Sequence, residues 1–461
     1  MSVKTFIRTC HLPVSVEEAF HWHERMGALE RMTPPWIPFE IEERSGGIYN
    51  GDTITAKMRI ACVTLKFKAK HQNFIANKQF EDIQLIGPFK SWKHTHSFEK
   101  IDNKKSKIVD HIEYSLPMSS ILNMFGKHFV DNKLNRLFTY RHRTLKNDLF
   151  LHAKYSHEKL KILITGSSGL VGCNLVPFLK SGGHTVLRLV RTPVSPNEND
   201  CVYWNAIEKK FINPELLDGV QAVVHLAGEN IAAVKWSDSR KQVLKSSRVD
   251  FTKDFCKALS ALQNPPKTFV AASGIGIFGS RDYDDILHED SKLGEGFLAQ
   301  LAKDWEASCH VAAEAGMRVV NLRFGSILSL GGGVIKKMYT PYRLCLGGPF
   351  GTGRQMMSWI SLTDVLGLIL FSLTNSSLVG AVNAVAPHAV TNEQFSELLA
   401  QTLDRPSSLR IPEIVVESLF GEMGRELLLS GQNAKPLKAT KNGYVFLHAH
   451  LHDAFTYCLG N

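Results

Sequence analysis

Three glycines spaced three residues apart, Gly166, Gly169 and Gly172, begin the stretch of the chain richest in chemical implication. They follow the apolar run KILIT, in the order Gly166-Ser167-Ser168-Gly169-Leu170-Val171-Gly172. A strand turning this abruptly into a helix needs a residue without a Cβ at the turn, here Gly166. Gly169 lets the backbone approach a diphosphate, and Gly172 lets helix and strand pack closely. The backbone around Ser168 and Leu170 would then meet the phosphates with N–H groups at the positive end of a helix dipole. The next apolar run, HTVLRLVRTP, ends at Arg191, and no carboxylate lies between His184 and Ser195. An Asp or Glu in that place accepts the ribose 2′-OH of NAD, whereas a guanidinium pairs with a 2′-phosphate. The residues therefore favour NADP(H) over NAD(H), the other reading of Arg191 being an ordinary surface side chain.

Other constellations are weaker. His448, His450 and His452 alternate in FLHAHLHDAF and would share one face if that segment were a strand, a metal-site geometry. Only Asp453 accompanies them as a carboxylate, so a solvated or interfacial strand is the expectation, and no metal is assigned. His94 and His96 alternate within WKHTHSF and either line a cavity or pack and hydrogen-bond in an ordinary way. Met356 and Met357, beside Trp359, suit the wall of a cleft, and Asp364 suits the cap of the helix that follows it.

The elements that must hold these residues divide the chain. Up to about Leu149 strands dominate. TFIRTCHLP comes first, then a capping box at Ser15 and Glu18 opens a short helix through Arg25. Six alternating runs follow, from FEIEE to SKIVDHIEYSL, and then a helix-compatible stretch over 120–148 with Ile121, Met124, Phe125 and Phe129 at helical spacing. This pattern predicts an antiparallel sheet wrapped around a long helix, an α+β grip able to enclose an apolar cavity. Residues 151–160 read as a linker. From Lys161 the rhythm becomes strand, helix, strand, with apolar strands KILITG, HTVLRLV, AVVHLAG, TFVAASG and RVVNLRFG. That alternation predicts a doubly wound parallel sheet of the Rossmann kind. The domains expected are 1–150, 161–390 and a helical C-terminal module over 391–461.

Composition agrees with such a chain. It has 461 residues, 44% apolar and 21% charged, too long for one core and too apolar for a disordered chain. Its formal net charge is +10, but the basic residues are dispersed, which argues against a nucleic-acid partner. Eight scattered cysteines without a CxxC pair suit separate thiols in a reducing compartment. The N-terminal residues lack an apolar signal core, and no apolar run reaches the ~18–20 residues of a membrane span, so a cytoplasmic location is expected.

The motifs TGSSGLVG, HLAGENI, SSRV, SGIGIFG, DWEA, LRFGSILS, GGPFGTGRQMMSWISLTD and TNEQFSELLA resemble the epimerase-like, atypical short-chain dehydrogenase/reductases of the NAD-dependent epimerase/dehydratase superfamily. FHWHERMGALERMTPPW, GPFKSWKHTHSFE and FTYRHRTLKNDL look like a START-like, polyketide-cyclase-related domain, which implies an apolar ligand at the N-terminal end. The first resemblance implies that Leu226, Ala227 and Gly228 pass the adenine side of the cofactor and that Arg248 reaches it. It also implies that Ser273 orients a substrate oxygen beside the cofactor, and that Arg323 and Ile327 border the nicotinamide. An oxidoreductase or epimerase acting on a small substrate follows, the oligomeric state remaining open. The chain departs from working reductases at their Tyr-xxx-Lys pair, in which Tyr moves the proton and Lys lowers its pKa. Those positions fall at Leu298 and Ala302, and Lys303 is rotated about 100° away on the helix. Proton transfer then needs a substitute, for which Ser273, Glu229 and Lys235 are the candidates. A non-catalytic NADP(H) sensor or lipid-binding regulator is the alternative.

Overall fold

The computed structural model describes residues 3–60, 63–116, 120–192, 199–407 and 409–461, with the backbone alone for 60 and 120–127. It divides into two units: Met1–His157 with Pro177–Gly183 and Gly460–Asn461, and Glu158–Val176 with His184–Leu459.

The first unit is built on a seven-stranded antiparallel sheet. Its strands are Lys4–Leu12, Phe39–Ser45, Thr53–Ile60, Val63–Ile75, Gln79–Ile86, Ser91–Lys100 and Ser106–Ser115. The first strand pairs with the last, and the remaining strands follow from there in reverse chain order. Alternation decides which side chains face inward: Ile108, Asp110, Ile112 and Tyr114 are buried, with half-buried residues between them. The helix Ser120–Tyr155 packs on that face, Leu134 and Phe138 joining Phe6, Ile112 and Tyr114. Further along, its Leu145 and Leu149 join Phe20, Phe80, Phe98 and Ile108. The capping box expected at Ser15 forms in part, its hydroxyl accepting from the Glu18 N–H to open the helix Val16–Glu24. A cavity of about 670 Å³ is lined by the sheet residues Ile54, Phe67 and Trp92 and the helix residues Leu134 and Leu137.

The long helix runs on to Tyr155, because Leu151 and Tyr155 are buried, so the segment read as a linker is half helix. The stripe Ile121, Met124 and Phe125 lies outside the residues whose side chains are described, and Phe129 is 61% exposed.

The second unit holds an eight-stranded sheet. Seven strands run parallel, in the spatial order Cys201–Asn205, Thr185–Val190, Lys161–Thr165, Ala222–His225, Thr268–Gly274, Arg318–Phe324 and Gly380–Ala384. A two-residue strand, Lys210–Phe211, pairs antiparallel at one edge. This is the Rossmann arrangement expected. The chain builds outward in one direction from Lys161–Thr165, then returns to its other side with Ala222–His225, so the switch point lies between those two strands. Both parallel neighbours are buried on each face, which explains the uninterrupted apolar runs. Among the described residues no helix is long and apolar enough to cross a membrane.

Candidate functional site

The glycine turn sits at this switch point. Gly166 has a φ of +67°, and a Cβ there would lie 2.7 Å from the carbonyl carbon and oxygen of Leu226. The turn is thus pressed onto the backbone leaving the neighbouring strand, which only glycine allows. Gly172 is confined by the turn itself, a Cβ meeting the Gly166 oxygen at 2.2 Å. At Gly169 the nearest protein atom to a Cβ is that same oxygen, at 3.3 Å, and Ser168 and Gly169 are exposed, so the outer side of the turn is open to a ligand. The helix that the turn feeds is Gly172–Ser181. Leu170 packs beside Gly332, where a Cβ would lie 3.1 Å from its side chain, and Gly333 lies against both Leu170 and the Ile327 carbonyl. The glycine run 331–333 therefore closes over the turn.

Thr165 fastens the two strand ends together. Its Oγ1 accepts from the N–H groups of Leu226 and Ala227, both at 3.1 Å, and lies 2.9 Å from His225 Nδ1. With both acceptor sites filled, the hydroxyl must donate to Nδ1, which leaves the proton of the neutral imidazole on Nε2. That Nε2 donates to Thr252 Oγ1 at 2.8 Å, which also accepts from Trp305 Nε1 at 3.1 Å. Complete burial pushes His225 down to about 3, consistent with a neutral ring.

Arg248 lies on a π-helical turn, Ser246–Asp250, between the helices Asp238–Lys245 and Phe251–Ser260. The wider turn brings its Nη2 within 2.8 Å of the Glu229 carbonyl and its guanidinium 5.1 Å above the Trp305 ring. A Cβ on Gly228 would touch this guanidinium at 3.1 Å. Burial, with the like charge of Arg240, lowers Arg248 to about 10, still cationic at neutral pH. Among the described residues nothing partners its buried Nε. Arg191 is exposed at the end of Thr185–Val190, on the same side of the parallel sheet as the glycine turn.

Ser273 and Arg323 are register partners on adjacent strands, and both are buried. Between them stands Glu306, from the helix Phe297–Ser308. Arg323 grips it with Nε and Nη2, each 2.8 Å from a carboxylate oxygen, and the Ser273 hydroxyl donates to Oε1 at 2.7 Å. Arg323 Nη1 donates to the Glu289 carbonyl, so its guanidinium is engaged by protein throughout.

The model of the NAD dependent epimerase/dehydratase family matches residues 162–384, and a domain of unknown function matches 411–458. An epimerase family protein of Mycobacterium bovis is 38% identical over 296 residues, 64% of this chain and 96% of the relative. The chain belongs to the epimerase family. The human epimerase family protein SDR39U1 is 31% identical over 62% of this chain and 95% of the relative. A crystal structure of its isoform 2 with NADPH aligns over 66% of this chain and all of that one, with a TM-score of 0.59 and 29% identity. The structure described as a nucleoside-diphosphate sugar epimerase from Corynebacterium glutamicum aligns over 99% of this chain, with a TM-score of 0.80 and 29% identity.

Leu298 and Ala302, which the resemblance implies stand in the usual Tyr and Lys places, are apolar. Leu298 covers the turn after the Ser273 strand, 3.3 Å from where Gly276 would carry a Cβ, and Ala302 is buried with Ile275, Ile277 and Phe278. Lys303 turns to the Gly294 carbonyl at 2.7 Å. Of the substitute candidates, Ser273 is in the buried cluster, and Glu229 is half-buried with its carboxylate 3.4 Å from Arg240. Lys235 is exposed, with its ammonium 3.4 Å from the Ser418 carbonyl. Glu306 is not singled out by the sequence motifs, because it reaches Ser273 and Arg323 only through the packing of its helix on the sheet.

The C-terminal histidines do not form a strand. They lead into the helix Leu451–Leu459, where Leu451, Ala454, Phe455 and Cys458 set a helical period. His448 is buried against Ser361 Oγ at 3.0 Å, His450 stacks on His388, and His452 is exposed. Asp364 stands in the first turn of Leu362–Thr374, but Ser361 is its N-cap. The Asp364 carboxylate instead accepts from the Leu447 and His448 N–H groups at 2.8 and 3.0 Å.

Proposed function

We propose that the chain binds NADP(H) across the Gly166–Gly172 turn and acts as a reductase or epimerase on a small substrate. The observation carrying this reading is the glycine turn at the switch point, with Arg191 where an NAD site would place a carboxylate. The NADPH-bound human relative supports it. Leu226–Gly228, Arg248 with its unpartnered Nε, and Ile327 complete the proposed cradle. The cofactor, when bound, supplies hydride chemistry. Ser273, donating its own proton to Glu306, keeps lone pairs free to accept from a substrate hydroxyl and so to orient it. The first unit, read as a START-like domain, would take an apolar ligand into its cavity. NADPH is expected to raise the melting temperature more than NADH, and Arg191→Ala to remove most of that difference; equal shifts before and after refute the NADP assignment.

A second reading, an NADP(H) sensor without turnover, is favoured by Leu298 and Ala302, which cannot transfer a proton. Screening candidate substrates for NADPH oxidation separates the two. Loss of turnover in Ser273→Ala or Glu229→Gln identifies the residue that handles the substrate, and the absence of turnover with every substrate supports the sensor.

A further inference from the structure

The cavity of the first unit has one strongly polar wall. The sheet register sets His94 opposite Asp82 on one neighbouring strand and His96 opposite Asp110 on the other. Being two residues apart, the histidines share the inward face. His94 Nδ1 and His96 Nε2 both approach the same oxygen, Asp82 Oδ1, at 3.3 and 3.5 Å. Metal bonds of ~2.0–2.1 Å in a tetrahedron put neighbouring ligand atoms about 3.3–3.4 Å apart. One ligand atom from each of Asp82, His94 and His96 lies within 4.8 Å of the others.

The far sides of both rings meet a single carboxylate. His94 Nε2 lies 3.0 Å and His96 Nδ1 2.7 Å from Asp110 Oδ1, while His142 Nε2 lies 2.6 Å from Asp110 Oδ2. His94 Nε2, hydrogen-bonded to Asp110 Oδ1, leaves its Nδ1 lone pair facing Asp82, the arrangement in which a second carboxylate fixes the tautomer of a metal-binding histidine, whereas among the described residues no hydrogen bond holds His96 Nδ1. Trp92 Nε1 donates to Asp82 Oδ2 at 3.3 Å and leaves Oδ1 for a single bond. The buried Asp110 and half-buried Asp82 carboxylates face the two rings from opposite sides, and the Arg141 guanidinium lines the same cavity.

We propose that Asp82, His94 and His96 form a site for zinc or another divalent first-row transition metal, with an open coordination position facing the cavity. Three protein ligands beside a roomy pocket match a site that admits an exogenous ligand, not a closed structural one. His23 and His71 line the same cavity. His23 Nδ1 is bonded to the Ala19 carbonyl at 2.8 Å, and among the described residues nothing partners His23 Nε2 or His71 Nδ1. These nitrogens suit water or a ligand oxygen at the open position. The ligand class is an apolar molecule carrying one metal-binding oxygen group, such as a carboxylate or carbonyl.

The test uses the full-length, tag-free chain, stripped with a chelator and titrated with Zn²⁺ or Co²⁺ alone. One equivalent should bind, with visible ligand-field bands of low-symmetry Co²⁺. His96→Gln and Asp82→Asn should each weaken binding at least tenfold, and Asp110→Asn by about 10–100-fold, with unchanged far-UV circular dichroism. Failure of the parent chain to bind either ion stoichiometrically overturns the site and leaves protons on the histidines as the balancing charge. Parent-like affinity in a folded Asp82→Asn or His96→Gln chain overturns it equally.

Discussion

Replacing Glu306 by glutamine isolates the buried cluster between Ser273 and Arg323. The amide can keep one acceptor oxygen toward the Ser273 hydroxyl, now 2.7 Å from Oε1. It cannot serve both Arg323 donors, because its NH₂ would face either Nε or Nη2, each now 2.8 Å from an oxygen. The cost therefore comes from the arginine side: a charge-assisted pair is broken and a guanidinium only 5% exposed loses its counter-charge. Breaking one partner of such a buried pair costs about 3–5 kcal/mol. With a urea m-value of about 2–3 kcal/mol/M, the midpoint of the second unit should fall by roughly 1–2.5 M. The transition is followed by near-UV circular dichroism, because the two units need not unfold together. Adding Arg323→Met removes the stranded charge and should restore at least ~1 kcal/mol. A single variant costing less than ~1 kcal/mol, or a double variant no better than the single, would refute the assignment of the pair as the support of Ser273.

Thr165→Val strands the Ala227 N–H and His225 Nδ1 while Leu226 keeps the Thr165 carbonyl at 3.3 Å; a loss of about 1–3 kcal/mol per stranded group is expected in urea unfolding. Gly166→Ala, strained at φ +67° and 2.7 Å from the Leu226 backbone, should abolish the NADPH-induced rise in melting temperature. An unchanged NADPH shift in that variant would contradict the placement of the cofactor. His225 is neutral in the folded chain down to about 3 but takes a proton near 6.5 when unfolded. Its contribution is thus complete above about pH 6.5 and falls as pH drops toward 3, by up to ~1.4 kcal/mol per pH unit. The non-titrating His225→Gln should flatten that slope, and a slope identical to the parent's would place the proton uptake elsewhere.

What could be read in the residues was what the backbone demands locally. Gly166 and Gly172 are dictated by their own turn, and the strands of both sheets by runs of two-residue or unbroken apolar pattern. Sites assembled across distance were less legible. The alternation of His94 and His96 is visible in WKHTHSF, but Asp82 and Asp110 come from neighbouring strands whose register only the folded sheet fixes. Glu306 likewise meets Ser273 and Arg323 through helix-to-sheet packing that no local spacing encodes. The same alternation misled at His448–His452, where leucine, alanine and phenylalanine at helical spacing override the two-residue rhythm.

The hydrogen-bonded chain from Thr165 through His225 and Thr252 ends on the indole of Trp305, which also carries the Arg248 guanidinium above its ring. One end of this chain holds the loop under the proposed phosphates, and the other abuts Glu306 in sequence. Trp305 is thus placed to sense both ends at once. A ligand that shifts the strand ends or draws Arg248 away changes the electrostatic field across Trp305, one of seven tryptophans in the chain, so a variant keeping Trp305 alone would report occupancy of the proposed groove by its emission colour.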